Sequence, residues 1–186
     1  IHHFKNDEIK MIREGDEKDS NLNLMYVALS KDKDLLVYTD RDEDRGPFLN
    51  VHRLSRGESF QITDSVGYIA ALIISKDGQT LYALDNAIKG VVQSWDLETG
   101  EFLDSYAYGL NPAIFTLNKD ETKIALATAD KNEIIVIEDI TSDDYEEDSR
   151  LSLGSQSLGN VVNIKFVKDD EYILSLSDDG SLRVIK

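Results

Sequence analysis

A chain of 186 residues with 41% apolar and 30% charged side chains is long enough to bury one domain and too apolar for intrinsic disorder. Its 20 Lys and Arg against 36 Asp and Glu leave a formal net charge of −16, which repels phosphate backbones and anionic lipid surfaces, so neither nucleic acid nor membrane is expected as a partner. The absence of cysteine excludes disulfides, thiolate metal sites and a thiol nucleophile. Together with the lack of an Asn-x-Ser/Thr sequon it fits an intracellular, cytoplasmic protein.

Internal self-similarity dominates the chain. The pairs Lys31-Asp32, Lys76-Asp77, Lys119-Asp120 and Lys168-Asp169 each follow an alternating apolar segment, and their aspartates lie 45, 43 and 49 positions apart. A period of about 40 to 50 residues marks one supersecondary unit repeated in an array. The opening stretch, 1–20, holds Ile1 to Lys5 in the place of a third strand and Ile9 to Ile12 in the place of a fourth.

The first full repeat, 21–65, then supplies Leu24, Val27 and Leu29 as inward-facing positions, a second strand around Leu36 to Tyr38, a third around Leu49 to Val51 and a fourth at Glu58 to Ile62. In the second, 66–109, the corresponding positions are Ile69, Leu72 and Ile74, then Leu81 to Ala83, Val91 to Ser94 and Phe102 to Tyr106. The third, 110–155, gives Pro112, Phe115 and Leu117, then Ile124 to Leu126, Ile134 to Ile137 and Leu151 to Leu153. The fourth, 156–186, gives Val161, Ile164 and Phe166, then Ile173 to Ser175 and Leu182 to Val184. Period-two alternation and β-branched residues make these strands, and no window sustains a helical stripe. Second strands are predicted near 35–39, 80–84, 123–128 and 172–177. Four strands joined by tight turns per unit form one blade of an all-β propeller.

The stretch Ile74-Ser75-Lys76-Asp77-Gly78-Gln79-Thr80-Leu81, continued by Ser94-Trp95-Asp96-Leu97-Glu98-Thr99-Gly100, resembles a WD repeat, and Ser177-Asp178-Asp179-Gly180-Ser181-Leu182-Arg183-Val184 resembles the second hairpin of another. Only the second repeat has a true Trp-Asp pair; His52-Arg53, Glu138-Asp139 and Ile185-Lys186 stand in its place elsewhere, and Gly67-Tyr68 stands nearest to the usual opening Gly-His. The resemblance implies a WD-type β-propeller, and such propellers usually close with about seven blades, in a range of about 4 to 8. Four repeats are therefore expected to form an incomplete ring, part of a larger chain or complex. A self-closed four-blade ring, with Ile9 to Ile12 completing the last blade, is the alternative.

Trp95, on a third strand, is expected to pack between blades. His2 and His3 are adjacent on a strand and point to opposite faces, which defeats joint metal binding, and His52 is expected to be a packed residue. The run Asp40-Arg41-Asp42-Glu43-Asp44-Arg45-Gly46 opens like a calcium loop, but its glycine is one place late and Val51 sits where the bidentate Glu belongs, so a solvated hairpin is the expectation. The acidic run Asp143 to Asp148 reads as a solvated loop between third and fourth strands. Turns between second and third strands all emerge on one side and carry Asp40, Asp42 and Asp44, then Asp85, Asp130 and Asp178. These six are the candidate partner-binding residues: an acidic rim steers a Lys/Arg-rich protein segment. The competing reading is that Asp simply bonds turn backbone.

No nucleophile, base and orienter can be assembled, so the expected function is a non-catalytic protein-binding scaffold without cofactor or metal. Two alternatives stand beside it. One is a lactonase-like or quinoprotein-like propeller enzyme or cofactor holder, with Tyr68 and Lys89 beside the rim acids. The other is a structural arc completed by another chain.

Overall fold

The computed structural model describes residues 26–42, 44, 46–64, 66–86, 91–107, 112–128, 133–140, 147–152 and 159–186. Ile1 to Lys5, Ile9 to Ile12, Leu24, Lys89 and Asp130 lie outside them. Fifteen strands and no helix make up the described chain. The first sheet holds β1 (Val27–Leu29), β2 (Leu35–Asp42), β3 (Gly46–Arg53) and β4 (Glu58–Ile62); the second holds β5 (Ile69–Ile74), β6 (Thr80–Asp85), β7 (Val91–Asp96) and β8 (Phe102–Ala107). The third is built from β9 (Pro112–Leu117), β10 (Ile124–Thr128), β11 (Glu133–Ile137) and β12 (Glu147–Ser152), and the fourth from β13 (Val161–Val167), β14 (Tyr172–Ser177) and β15 (Leu182–Ile185). Each sheet is an antiparallel meander in chain order, and the first strands β1, β5, β9 and β13 lie side by side. This is a row of propeller blades.

The Lys-Asp repeat has a local cause. In the first two blades a serine two residues before the aspartate closes the turn: Ser30 and Ser75 each donate a hydroxyl hydrogen bond to Asp32 and Asp77, while their oxygens accept the amides of Leu35 and Thr80. The aspartates also accept the amides of Asp34 and Gln79. Asn118 does this work in the third blade, its Oδ1 accepting the amides of Thr122 and Lys123 at 2.9 Å. Side-chain acceptors that mimic backbone partners fix such turns.

Three apolar layers fill the spaces between blades. Val37, Leu49 and Val51 of the first blade meet Leu81, Ala83 and Trp95 of the second. Leu84 and Val92 of the second meet Phe115, Leu126 and Ile135 of the third. Ala125, Ile134 and Val136 of the third meet Ile164, Phe166 and Ile173 of the fourth. Trp95 is fully buried, as its strand position predicts; its Nε1 donates to the Asp64 carbonyl at 3.1 Å and its ring meets Phe102 edge-on. Polar links reinforce the layers on the edge where the Lys-Asp turns lie: Arg53 reaches the Leu97 carbonyl and Glu98, the Lys76 amide donates to Glu121, and Asn118 Nδ2 donates to Asp170.

Four expectations need correction. Val27 and Leu29 do not face an interior; they are 63% and 47% exposed, and none of the described blades packs on their side of the first blade. His52 is half-buried on that same side, stacked on Tyr38 rather than enclosed in the core. The fourth strand of the third blade begins at Glu147, earlier than Leu151, so Glu147 and Asp148 are strand residues rather than loop. Finally, Asp40, Asp42 and Asp85 are strand residues and not turn residues, since β2 continues to Asp42 and β6 to Asp85.

Candidate partner-binding rim

The long first hairpin decides the geometry of the rim. Asp40 pairs across the ladder with Phe48 and Asp42 with Gly46, whose φ of +85° closes the turn. Asp40 and Asp42 are thus held in extended backbone, which is not the geometry of a calcium loop wrapped around one ion. Asp40 is half-buried and accepts the Arg41 amide at 2.8 Å and Asn50 Nδ2 at 3.4 Å, and Asn50 in turn accepts Gln61 Nε2. Asp44 is exposed at the tip. Among the described residues no group of three or more His, Cys, Asp or Glu is placed to hold a metal ion.

Asp85 ends β6 opposite Ile69 and is 0% exposed, so it presents no charge to solvent. It lies directly against Gly67: a Cβ added there would fall 1.8 Å from Asp85 Oδ2. Only glycine lets the chain pass that carboxylate. One residue on, the Tyr68 carbonyl accepts the Asn86 amide at 2.9 Å, which pins the backbone, while the Tyr68 ring is 54% exposed. The Arg41 guanidinium sits over that ring, 5.7 Å from its centroid.

Asp178 belongs to the fourth blade and is exposed, yet both its oxygens are engaged: Oδ1 accepts the Asn160 amide at 2.9 Å and Oδ2 accepts Asn160 Nδ2 at 3.1 Å. The reciprocal bond from the Asp178 amide to the Asn160 carbonyl completes the link. The side chain of Asp42 and all of Asp130 lie outside what is described. The structure therefore brings Arg41 and the buried Asp85 to the Gly67-Tyr68 segment where the first two blades meet, turns Asp40 to Asn50 on the other face of the first blade, and leaves Asp178 on the last blade. Among the described rim carboxylates Asp44 and Asp178 are exposed and Asp40 is half-buried.

Turn aspartates on both edges share one electrostatic character: on this rim Asp179, beside Asp178, is held below the ordinary carboxylate value by the Ser181 hydroxyl and amide. Asp32 and Asp77 titrate below the ordinary carboxylate value, held down first by the Ser30 and Ser75 hydroxyls and then by the Asp34 and Gln79 amides. Asp96 is lowered chiefly by the Thr99 amide. These aspartates are turn chemistry. The pairing of Arg41 with Tyr68 escapes a reading that sorts carboxylates alone, although the glycine before Tyr68 signals the close approach beneath it.

No family model matches the chain, and no curated protein matches it. Among solved structures it is similar to the β-propeller domain of Cps50 (Swd1) from Myceliophteria thermophila, with a TM-score of 0.67 and 17% identity over 87% of this chain and 51% of that one. The fold is that of a β-propeller, present among the described residues as a run of four blades. The chain spans about half the length of that propeller domain.

Proposed function

We propose that this chain is a non-catalytic scaffold that holds a Lys/Arg-rich segment of a protein partner on the edge carrying Tyr68, Arg41, Asp40, Asp44 and Asp178. The observation that carries this reading is the half-exposed Tyr68 ring, set by a pinned backbone and by Arg41 at the junction of two blades. A rigid aromatic beside an arginine is the composition that dominates binding energy at protein interfaces. The net charge of −16 and the exposed Asp44 and Asp178 favour basic segments as occupants. Asp85 acts beneath the surface, shaping the Gly67-Tyr68 backbone rather than meeting the partner.

The test is the affinity of a fluorescent polylysine peptide, read by anisotropy at low salt. Tyr68→Ala should weaken binding about tenfold, the loss of about 1.4 kcal/mol that a hot-spot residue supplies. Asp44→Asn with Asp178→Asn should weaken it less and mainly through the on-rate. A control pair on the opposite edge, Asp120→Asn with Glu171→Gln, removes the same charge. Equal weakening by the control pair, with Tyr68→Ala silent, would mean that net charge alone attracts the peptide.

A further inference from the structure

The first hairpin is longer than its counterparts. Eight places after each repeat aspartate stand Asp40, Asp85, Thr128 and Ser177, and β6, β10 and β14 end at that level, whereas β2 runs on through Arg41 to Asp42. Alternation along β2 decides where the extra length points. Leu35 and Val37 pack toward the second blade, so Arg41 leaves the strand on that same side, above the layer that holds Trp95. There it meets Tyr68, just before the first strand of the next blade, with its guanidinium 5.7 Å from the ring centroid. That distance lies inside the roughly 6 Å over which an aromatic face attracts a cation. The ring face is thus taken by a charge of the chain's own, and that charge has the sign of the basic segment assigned to this edge.

We propose that Arg41 is a built-in competitor: it occupies the Tyr68 ring in the free chain and gives way when a cationic side chain of a Lys/Arg-rich segment takes its place. The inference rests on the reading that Tyr68 receives such a segment, and adds what the ring binds and what holds the site in check. Exchange is favoured over joint occupancy because two like charges brought to one ring repel each other. The arginine is the member that moves. The Tyr68 backbone is pinned by the Asn86 amide and follows a glycine packed on Asp85, whereas Arg41 is exposed on a strand extension that the other blades lack. A cation over an aromatic face at an exposed site changes a binding constant by about two- to fivefold, which is the size of the restraint Arg41 imposes.

The test is a double-mutant cycle on the affinity of a fluorescent polylysine peptide, read by anisotropy. Arg41→Gln should tighten binding about two- to fivefold. Beside Tyr68→Leu, which removes the ring and keeps an apolar side chain, the gain from Arg41→Gln should shrink to that of Arg56→Gln, the loss of one exposed charge on the opposite edge. Arg41 and Tyr68 are both exposed, so circular dichroism should show the fold unchanged. Nuclear magnetic resonance gives a second reading: ring shielding should shift the Arg41 Cδ protons upfield in the free chain, and the peptide should return them to their ordinary position. Equal gains with and without the ring would mean that Arg41 acts as a bare charge. Weaker binding by Arg41→Gln would mean that Arg41 itself meets the peptide. Either result overturns the proposal and leaves the scaffold reading standing, whereas an affinity untouched by Tyr68→Leu overturns both.

Discussion

Replacing Trp95 by alanine removes the largest fully buried side chain, from between the first two blades, along with its hydrogen bond to the Asp64 carbonyl. A loss of about 3 to 5 kcal/mol is expected from the cavity and lost transfer energy together, read as a shift in the urea midpoint. The turn aspartates act through charge instead. Because Asp77 titrates below its ordinary value of 3.8 in the folded chain, its contribution is fully present above that value and is lost as pH falls through the lowered folded value. Asp77→Asn keeps an acceptor for Gln79 but cannot titrate, so its urea midpoint should depend less on pH below 3.8 than that of the unaltered chain. An identical acid profile would show that the Ser75 bond does not stabilise the carboxylate. At this scale the sequence announced which residues repeat, and Trp95 was readable from its strand position. Whether a given Asp is rim or interior was not readable: Asp85 and Asp178 follow the same strand by one residue's difference in register, and that step turns one carboxylate into the protein and the other out.

At the scale of elements, Gly67 and β6 form one packed unit. Gly67→Ala should destabilise the protein by about 1 to 3 kcal/mol, as overpacking against a buried group does, since the new Cβ and Asp85 Oδ2 claim the same space. The loss should shrink when Asp85 is replaced by serine, the residue that ends the equivalent strand of the last blade at Ser177, and a double-mutant cycle measures that coupling. Additive losses would mean that the backbone moves aside without cost. The second strands were the most legible elements, because each starts with or contains a run of three or four apolar residues beside the Lys-Asp turn, although β2 runs on through the polar Thr39 to Asp42. The start of β12 was hidden: Glu147 and Asp148 are acidic, and an outer strand needs no apolar face to join a ladder whose bonds are made by backbone.

For the whole molecule, the row of four described blades explains why Val27 and Leu29 carry core residues in exposed positions: the repeat pattern records the layer each blade is built to make, and only a neighbour decides whether the layer forms. Polar links between neighbouring blades lie on the edge of the Lys-Asp turns, and the pairing of Arg41 with Tyr68 lies on the opposite edge. Attraction of a basic segment to Asp44 and Asp178 should fade as the Debye length falls from about 10 Å at 0.1 M salt to about 3 Å at 1 M, while contact with the Tyr68 ring should persist. Hydrogen exchange of the chain with and without a bound polylysine peptide tests the central claim most directly. The account predicts slowed exchange at 40–44, 66–68 and 178–181, with 30–34 and 75–79 unchanged. Protection of the Lys-Asp turns with none around Tyr68 would contradict it.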